Sequence, residues 1–481
     1  MISIKWPSVS LLYDKENRAI YIRPPEGVLL SDQITKALLE HNRPVPRYTS
    51  YPTAPHFTEQ VTAEVAAMWL SETEPDKPLS LYFHIPFCKT LCWYCGCNTK
   101  ATLKYEPVRH YLTYLKKEVS LVAARMPGKR PVSHIHFGGG SPSYIQPDDF
   151  TDFMDHVRAN FAVLTDAEIA VEIDPRELTE PKVVAYHAAG VSRASLGVQD
   201  FHEDVQTAIN RIQPLADVYD GVKLLRSNGI TQINMDLLYG LPHQTVQTVA
   251  SNIDIAAGLG PQRISLFGYA HVPWMKKHMR LIASEELPTS KDRLSQFEIA
   301  RSTLFHKGYI QVGLDHFVRP DDPMAMALEQ HTLKRNFQGY STDDAPILVG
   351  MGSSAISALE QGYVQNTANT KDYYAALDKG TLPVVKGVAL TDDDRLRRGL
   401  IEELMCYMQI DLADFCARHQ VDPAIFAPEL ERLGALEQAG LVKIENMAIS
   451  TLPGAAQAIR LICATFDPYL HSEKGKHSQV A

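Results

Sequence analysis

The sequence predicts an α/β fold: a partial (β/α) barrel of about six parallel strands, with an N-terminal arm before it and a small, mainly helical domain with a short β wing after it. Three observations predict it. Short β-like runs alternate with amphipathic stretches from about residue 79 to 317. Several of those runs end in polar or small residues spaced two apart. From about residue 390 the pattern turns helical. Alternating βα units imply parallel strands joined by right-handed crossovers. Six or seven units in series suit a full or partial barrel better than a doubly wound sheet.

The arm, residues 1–65, is broken repeatedly by proline, in Arg-Pro-Pro-Glu-Gly and in Arg-Pro-Val-Pro-Arg-Tyr-Thr-Ser-Tyr-Pro-Thr. It carries aromatic and basic residues, so it is expected either as a loose end or as a cover folded over a site. The barrel occupies 66–375. Its strands are expected at 79–86, 132–137, 168–175, 193–199, 232–239 and 263–271, with 310–317 a candidate seventh. Helices are expected at 108–126, 148–161, 181–188, 216–227 and 245–257. Side chains two apart in a strand point the same way. Glu172 and Asp174 are therefore expected on one face, as are Asn234 and Asp236, and Ser195, Gly197 and Gln199. The C-terminal ends of barrel strands are where barrel enzymes place their sites. Residues 376–481 form the last domain: helices at 392–407, 412–418 and 427–438, a hairpin over 440–451 and a helix at 454–465. Charge there is mixed, which favours a lid or packing role over nucleic-acid reading.

With 481 residues the chain has room for two or three domains. Its 45% hydrophobic and 21% charged residues are ordinary globular composition. No run of ~18 apolar residues predicts a membrane span. The start, Met-Ile-Ser-Ile-Lys-Trp-Pro, has no charged segment leading into an apolar one, so no signal peptide is expected. A formal charge of −9 argues against nucleic acid as the main partner. The cysteines number seven, an odd count with four of them bunched. That usage reads as metal ligation in a reducing, cytoplasmic setting.

Cys88, Cys92, Cys95 and Cys97 fall within ten residues, and the first three have the spacing C-x3-C-x2-C. Three thiolates can hold three irons of a [4Fe–4S] cube and leave the fourth open, able to chelate the amine and carboxylate of S-adenosylmethionine. Structural zinc usually takes two separated pairs or a cysteine–histidine mixture. Here the ligands form one tight run, and Phe87, Trp93 and Tyr94 are suited to exclude water from an iron–sulfur site. Cys97 is not expected as a ligand, since one iron must stay open. Cys406, Cys416 and Cys463 sit in apolar helical stretches and are expected to be buried core thiols. Gly138, Gly139, Gly140 and Ser141 close the second strand. Glycines let backbone groups approach a ligand, here the methionyl end of S-adenosylmethionine. Taken alone, they would mark only a turn.

The cysteine run after one strand and Gly-Gly-Gly-Ser-Pro after the next resemble the radical S-adenosylmethionine superfamily. More narrowly, the chain resembles the oxygen-independent coproporphyrinogen III oxidases. The matching segments are Pro46-Arg-Tyr-Thr-Ser-Tyr-Pro-Thr, His84-Ile-Pro-Phe-Cys, Cys95-Gly-Cys-Asn, Glu172-Ile-Asp-Pro-Arg-Glu, Gly197-Val-Gln-Asp-Phe, Asp236-Leu-Leu-Tyr-Gly-Leu-Pro, Arg319-Pro-Asp-Asp, Arg335-Asn-Phe-Gln-Gly-Tyr and Gly350-Met-Gly-Ser-Ser-Ala-Ile-Ser. They run from residue 46 to about 465. Ser141 stands where the family often has threonine, which keeps the hydroxyl.

The resemblance implies roles by position. Cys88, Cys92 and Cys95 would bind the cluster. Tyr82, Gly139, Glu172 and Ile356 would line the S-adenosylmethionine on it. The family can hold a second molecule, and Tyr94, Gly140, Ser141, Gln199, Arg211, Asp236 and Ala270 match that site. The implied substrate is coproporphyrinogen III, a tetra-anion. Two of its propionates become vinyl groups, giving protoporphyrinogen IX, through hydrogen abstraction by a 5′-deoxyadenosyl radical and loss of carbon dioxide. An electron donor and an electron acceptor are needed, neither identifiable from the sequence, and the expected state is a monomer. Arginine suits bidentate carboxylate binding, so Arg47, Arg319 and Arg335 are candidate propionate partners, with Gln338 beside them. Tyr48 and Tyr51 would cover the reacting centre if the arm folds in. The alternatives are a haem-binding chaperone and a haem-modifying relative. Such carriers generally lack the Cys-Gly-Cys-Asn and Arg-Asn-Phe-Gln-Gly-Tyr segments present here.

Overall fold

The computed structural model of the protein describes residues 10–13, 19–23 and 32–471. The chain divides into two compact units. One comprises Met1–His56, Leu237–Thr342 and Thr391–Ala481; the other comprises Phe57–Asp236 and Asp343–Leu390.

The second of these carries a parallel sheet. Leu79–Ile85 lies at its centre, paired in parallel with Pro131–Gly139 on one side and Ile347–Met351 on the other. Pro131–Gly139 pairs in parallel with Ala162–Ile173, and that strand with Arg193–Gln199. The first residues of Gln232–Tyr239 come next in order. Beyond Ile347–Met351 the sheet continues through Ile356–Ala358, Gly362–Asn366 and Val384–Ala389, each antiparallel to its neighbour. The order is linear, so the barrel is partial.

Leu79, Leu81, Phe83 and Ile85 are buried on one face of their strand, and Ser80 and His84 are buried on the other. Burial of both faces is the mark of a parallel strand covered by helices. The helix Glu106–Ala123 buries Val108, Tyr111, Leu112, Leu115, Val119 and Val122, spaced three and four apart. Pro107 sits in its first turn, where a missing N–H costs nothing. Under the sheet the Phe83 ring lies 5.1 Å from Phe137 and 5.0 Å from Phe153. Full burial of each such side chain is worth ~1.5–3 kcal/mol.

Register positions the site. Tyr82 lies opposite His136, His84 opposite Gly138, and Ile85 opposite Gly139. On the other side Tyr82 lies opposite Gly350. Glu172 lies opposite Ser195. Parallel strands end at one edge, so the cysteine loop, the glycine run, Glu172 and the Gly350–Gly352 turn converge there.

One buried carboxylate ties this edge together. Glu118 accepts hydrogen bonds from Gly352 N (2.7 Å), Asn366 Nδ2 (2.6 Å) and Tyr373 Oη (2.6 Å). Burial dominates over these donors and pushes its pKa up to about 7. The folded chain therefore holds this proton more tightly than the unfolded one. That contribution is fully present below the unfolded carboxylate value and is lost as pH rises through about 7, at most about 3 kcal/mol. Thermal stability should fall between about pH 5 and 8, and Glu118→Gln, which cannot ionise, should flatten that part of the profile. Parallel Tm-against-pH curves for the two proteins would refute the assignment.

The other unit holds the arm and the C-terminal helices. Asp392–Tyr407, Leu412–Arg418 and Ala427–Gln438 form where expected. The first opens on a capping box: Thr391 Oγ1 accepts from Asp394 N (3.1 Å), and Asp394 Oδ2 accepts from Thr391 N (2.9 Å). The wing is a three-stranded sheet with Ala448–Thr451 between Gln409–Asp411 and Val442–Glu445. The last helix is shorter than expected, Ile459–Thr465, because a turn of 3-10 helix precedes it. Leu400, Leu404, Phe415, Phe426, Leu433 and Ile462 form the core, and Tyr48 and Tyr51 of the arm belong to it. Cys406, Cys416 and Cys463 are buried free thiols.

Three expectations change. Residues 310–317 are two strands, Ile310–Val312 and His316–Val318, paired antiparallel because the chain reverses at Gly313 (φ +58°). The third parallel strand starts at Ala162, six residues earlier than expected. It ends at Ile173, two residues earlier than expected, and Asp174, still extended, caps the following turn through Arg176 N. Among the described residues no helix is long and apolar enough to cross a membrane.

Candidate active site

The cysteine loop leaves the end of Leu79–Ile85 and is fastened at several points. Its stem, Phe87–Cys88, pairs with Lys100–Ala101. The segment Ile209-Asn210-Arg211 holds its middle. Trp93 N donates to Ile209 O (3.0 Å), Asn210 Nδ2 donates to Leu91 O (2.9 Å), and Arg211 Nη1 reaches Cys92 Sγ (3.5 Å). The other two sulfurs also have polar partners. Cys88 Sγ lies 3.2 Å from Thr99 Oγ1, and Cys95 Sγ accepts from Cys97 N (3.4 Å). Hydrogen bonds to ligand sulfur are one means by which a protein sets the potential of an iron–sulfur cluster.

Cys92 is buried, Cys88 and Cys95 are half-buried, and Cys97 is exposed. Burial pushes the Cys88 thiol up to about 12, partly offset by Thr99. A coordinated metal ion overrides such a shift and deprotonates its thiol outright. Among the described residues no three Cys, His, Asp or Glu side chains converge on one point, as a mononuclear site needs. Three sulfurs serving three irons of a cube need no such convergence. With a guanidinium against Cys92 and an amide against Cys95, the donor set fits an iron–sulfur cluster.

Around the loop the glycine run is packed from all sides. A Cβ on Gly138 would lie 2.8 Å from Glu172 Oε1 and 2.9 Å from the Tyr82 ring. Gly139 has φ +116°, and a Cβ there would meet His84 at 2.6 Å. A Cβ on Gly140 would lie 2.5 Å from Thr99 Oγ1 and 2.8 Å from Phe87 O. The glycines thus make room for the cysteine stem itself. The run is locked further by Gly140 N donating to Ile85 O and Ser141 N to Phe87 O, both at 2.8 Å.

Charged groups line this edge. Glu172 accepts from Gly139 N (3.1 Å) and pairs with His136 Nε2 (3.0 Å). Burial opposes its charge, but His136 and Gly139 outweigh burial and hold the carboxyl below its usual range. Tyr82 stacks on His136 and bonds His84 Nδ1 at 3.0 Å. Arg211 Nη1 pairs with Asp174 Oδ2 (3.2 Å), and its Nη2 donates to Gly197 O. Arg211 Nε is buried without a partner. Gln199, in the left-handed region at φ +71°, follows Gly197 and Val198. Asp236 accepts from Ser195 Oγ (2.9 Å) and Asn234 Nδ2 (2.8 Å), which confirms the shared face of Asn234 and Asp236. Ser141 is buried against Ser143 (2.9 Å). Tyr94 is half-buried in the cysteine loop, and the backbone oxygen of Ile356 crowds Gly350.

The remaining candidates lie in the other unit. Ala270, Arg47 and Arg335 line one cavity of about 370 Å³. Tyr48 and Tyr51 do not line it. Tyr48 Oη donates to Asp467 Oδ2 (3.0 Å), and Tyr51 packs edge-on against Tyr469, both in the apolar core. Arg319 lies over the Tyr309 ring and donates to Lys307 O, away from the cavity wall. Gln338 is anchored by its backbone to Asn336 and does not line the cavity either. Two arginines missed in the sequence do line it, Arg293 and Arg460. Arg460 carried a signal: it interrupts the apolar run Ile-Arg-Leu-Ile-Cys-Ala.

Comparison with known proteins decides the family. Residues 82–255 match the model of the radical SAM superfamily. The chain is 46% identical over 436 residues to an oxygen-independent coproporphyrinogen III oxidase of Bradyrhizobium diazoefficiens, covering 91% of this chain and 97% of the relative. The chain belongs to the oxygen-independent coproporphyrinogen III oxidase family. The family member of Escherichia coli is 39% identical over 435 residues, 90% of this chain and 95% of that one. A solved structure of coproporphyrinogen III oxidase from Escherichia coli, described as a radical SAM enzyme, is similar with a TM-score of 0.84 and 37% identity, covering 89% of this chain and 100% of that one. Membership of this family implies a [4Fe–4S] cluster and S-adenosylmethionine as cofactors.

Proposed function

We propose that this protein converts coproporphyrinogen III to protoporphyrinogen IX without oxygen, in haem biosynthesis. Each of two propionates loses a hydrogen and carbon dioxide and becomes a vinyl group. One observation carries the reading: the sulfurs of Cys88, Cys92 and Cys95, each with its own polar partner, sit at the sheet edge where Glu172 and the glycine run end. The named relatives support the choice of substrate.

Cys88, Cys92 and Cys95 would hold the cluster. Tyr82, Gly139, Glu172 and Ile356 would line S-adenosylmethionine on it. Tyr94, Gly140, Ser141, Gln199, Arg211 and Asp236 would hold a second molecule. The hydrogen to be removed sits on an unactivated carbon, so acid–base catalysis by side chains cannot start the reaction; the cofactors, when bound, supply a carbon radical that can. The side chains bind, orient and shield. Glu172, kept ionised by His136 and Gly139, offers a fixed acceptor for an ammonium group. Arg211 places a cation against Cys92, which favours the electron-rich state of whatever that sulfur ligates. Asp236 is oriented by Ser195 and Asn234. Trp93 and Tyr94 screen the sulfurs from water.

A reducing, cytoplasmic setting agrees with seven cysteines that form no disulfide with one another. The enzyme would work as a monomer with a low-potential electron donor and a separate acceptor. The test is an anaerobic assay of the iron- and sulfide-reconstituted protein with S-adenosylmethionine, a strong reductant, coproporphyrinogen III and cell extract as electron sink. Protoporphyrin, with 5′-deoxyadenosine and methionine, is expected. Unchanged coproporphyrin beside an intact cluster would refute the reading and move it to haem-binding or haem-modifying relatives.

A further inference from the structure

The cavity in the unit that holds the arm and the C-terminal helices has a marked imbalance of charge. Four guanidinium groups line it, Arg47, Arg293, Arg335 and Arg460, and among its described lining residues the one carboxylate is Asp315, itself bonded to His316 Nδ1 at 2.8 Å. Arg47, Arg293 and Arg335 form no ion pair with any described carboxylate. Backbone carbonyls orient these three instead, and carbonyls of the arm also hold Arg460. Arg47 Nη2 donates to Gly268 O (2.7 Å), Arg293 Nη1 to Tyr269 O (2.8 Å), Arg335 Nε to Tyr48 O (3.2 Å), and Arg460 Nε to Pro46 O (3.1 Å). A carbonyl fixes a guanidinium in place without neutralising it. Burial first, and then the charge of Arg47, lowers the Arg460 pKa to about 9. The group of arginines is held together against its own repulsion.

The space is also built around Arg293. A Cβ on Gly240, at φ +83°, would lie 2.5 Å from Arg293 Nη1, and one on Gly268 would lie 3.2 Å from its Nη2. Two glycines thus leave room for this guanidinium, which sits 5.7 Å over the Tyr239 ring. The wall also carries aromatic rings, among them Phe267, Tyr269 and Trp274. Cationic groups set among aromatic faces suit carboxylates carried on an apolar ring system.

We propose that Arg293 and Arg460 bind the propionates of the substrate that are retained, not those that are lost. The proposal rests on the functional reading above and deepens it. An ion pair stabilises a carboxylate as an anion. A reacting propionate must surrender that charge as neutral carbon dioxide, so a guanidinium held on it would stabilise the ground state more than the transition state and slow the step. Arginines suit the groups that stay.

The test uses the full-length holoenzyme and three stable porphyrins: coproporphyrin III with four carboxylates, protoporphyrin IX with only the two retained ones, and coproporphyrin tetramethyl ester with none. Affinities are read by fluorescence. Arg293→Met should weaken coproporphyrin III and protoporphyrin IX alike, by about tenfold or more, and leave the ester unchanged. Arg293→Lys should recover part of the loss. Arg460 also holds the arm, so the milder Arg460→Lys is used there, with the same pattern expected. In turnover KM should rise more than kcat falls, with cluster absorbance kept. Equal weakening of the ester would make Arg293 a packing residue and overturn the proposal. Weakening of coproporphyrin III alone would assign Arg293 to a reacting propionate and overturn it too. Turnover by the unmodified enzyme with an indifferent Arg293→Met variant sinks this inference alone. No turnover by the unmodified enzyme sinks the substrate reading and this inference with it.

Discussion

Cys92→Ser is expected to empty the site of iron while leaving the fold standing. An alcohol does not ionise to become a ligand as a thiol does, and two remaining thiolates do not hold a cube that needs three. Iron should drop from about four per chain to near zero after reconstitution, the brown absorbance should vanish, and turnover should be abolished. The loop itself should survive. Its fastenings, Trp93 N to Ile209 O and Asn210 Nδ2 to Leu91 O, do not involve the sulfur. The apoprotein should therefore lose no more than ~1 kcal/mol of stability. Cys97→Ser is the matched control, because Cys97 is exposed and its backbone N–H, which donates to Cys95 Sγ, is kept in the variant. Full iron content in Cys92→Ser, or loss of iron in Cys97→Ser, would reverse the ligand assignment.

Gly140→Ala should do comparable damage by a different route. The added methyl would sit 2.5 Å from Thr99 Oγ1, 2.8 Å from Phe87 O and 2.9 Å from Phe87 N. Two of those three atoms are backbone of the residue before Cys88, and Thr99 is the partner of Cys88 Sγ. Relief of the overlap must move the stem of the loop. Overpacking of this kind costs ~1–3 kcal/mol or more. A lowered Tm should accompany iron incorporation below about half of the unmodified level. Gly96→Ala lies in the same loop with open space around its Cβ, and should be silent. Normal iron and Tm in Gly140→Ala would show that the stem yields easily and that the glycine answers to something else.

Much of this was legible from side-chain spacing. The C-x3-C-x2-C run and the polar ends of the parallel strands mark the sheet edge at which the cysteine loop, the glycine run and Glu172 converge, because period-two alternation and short cysteine spacing are local properties. What escaped was non-local. Ile347–Met351 is a central parallel strand beside Leu79–Ile85, yet Gly350 and Gly352 make its end read as a turn. Glycine is needed at 350 because Ile356 O would lie 2.3 Å from a Cβ, a constraint set by the next strand. Glu118 looked like any charged helix residue, and only Gly352, Asn366 and Tyr373, far along the chain, give it a buried role. Arg293 was equally hidden, since its significance depends on Gly240 and Gly268. Tyr48 and Tyr51 read in the sequence as a cover for the reacting centre, but their partners, Asp467 and Tyr469, stand at the other end of the sequence.

That last separation bears on how the protein is made. Tyr48 and Asp467 are 419 residues apart. At ~5–20 residues per second, the ribosome delivers the partner of Tyr48 roughly 20–80 s after Tyr48 itself. The second unit waits as well, because Leu79–Ile85 stays open on one side until Ile347–Met351 is translated. Neither unit can close while the C-terminal segments are unmade, although the three cysteines emerge early. A nascent chain stalled before residue 347 would therefore display its thiols on an incomplete scaffold.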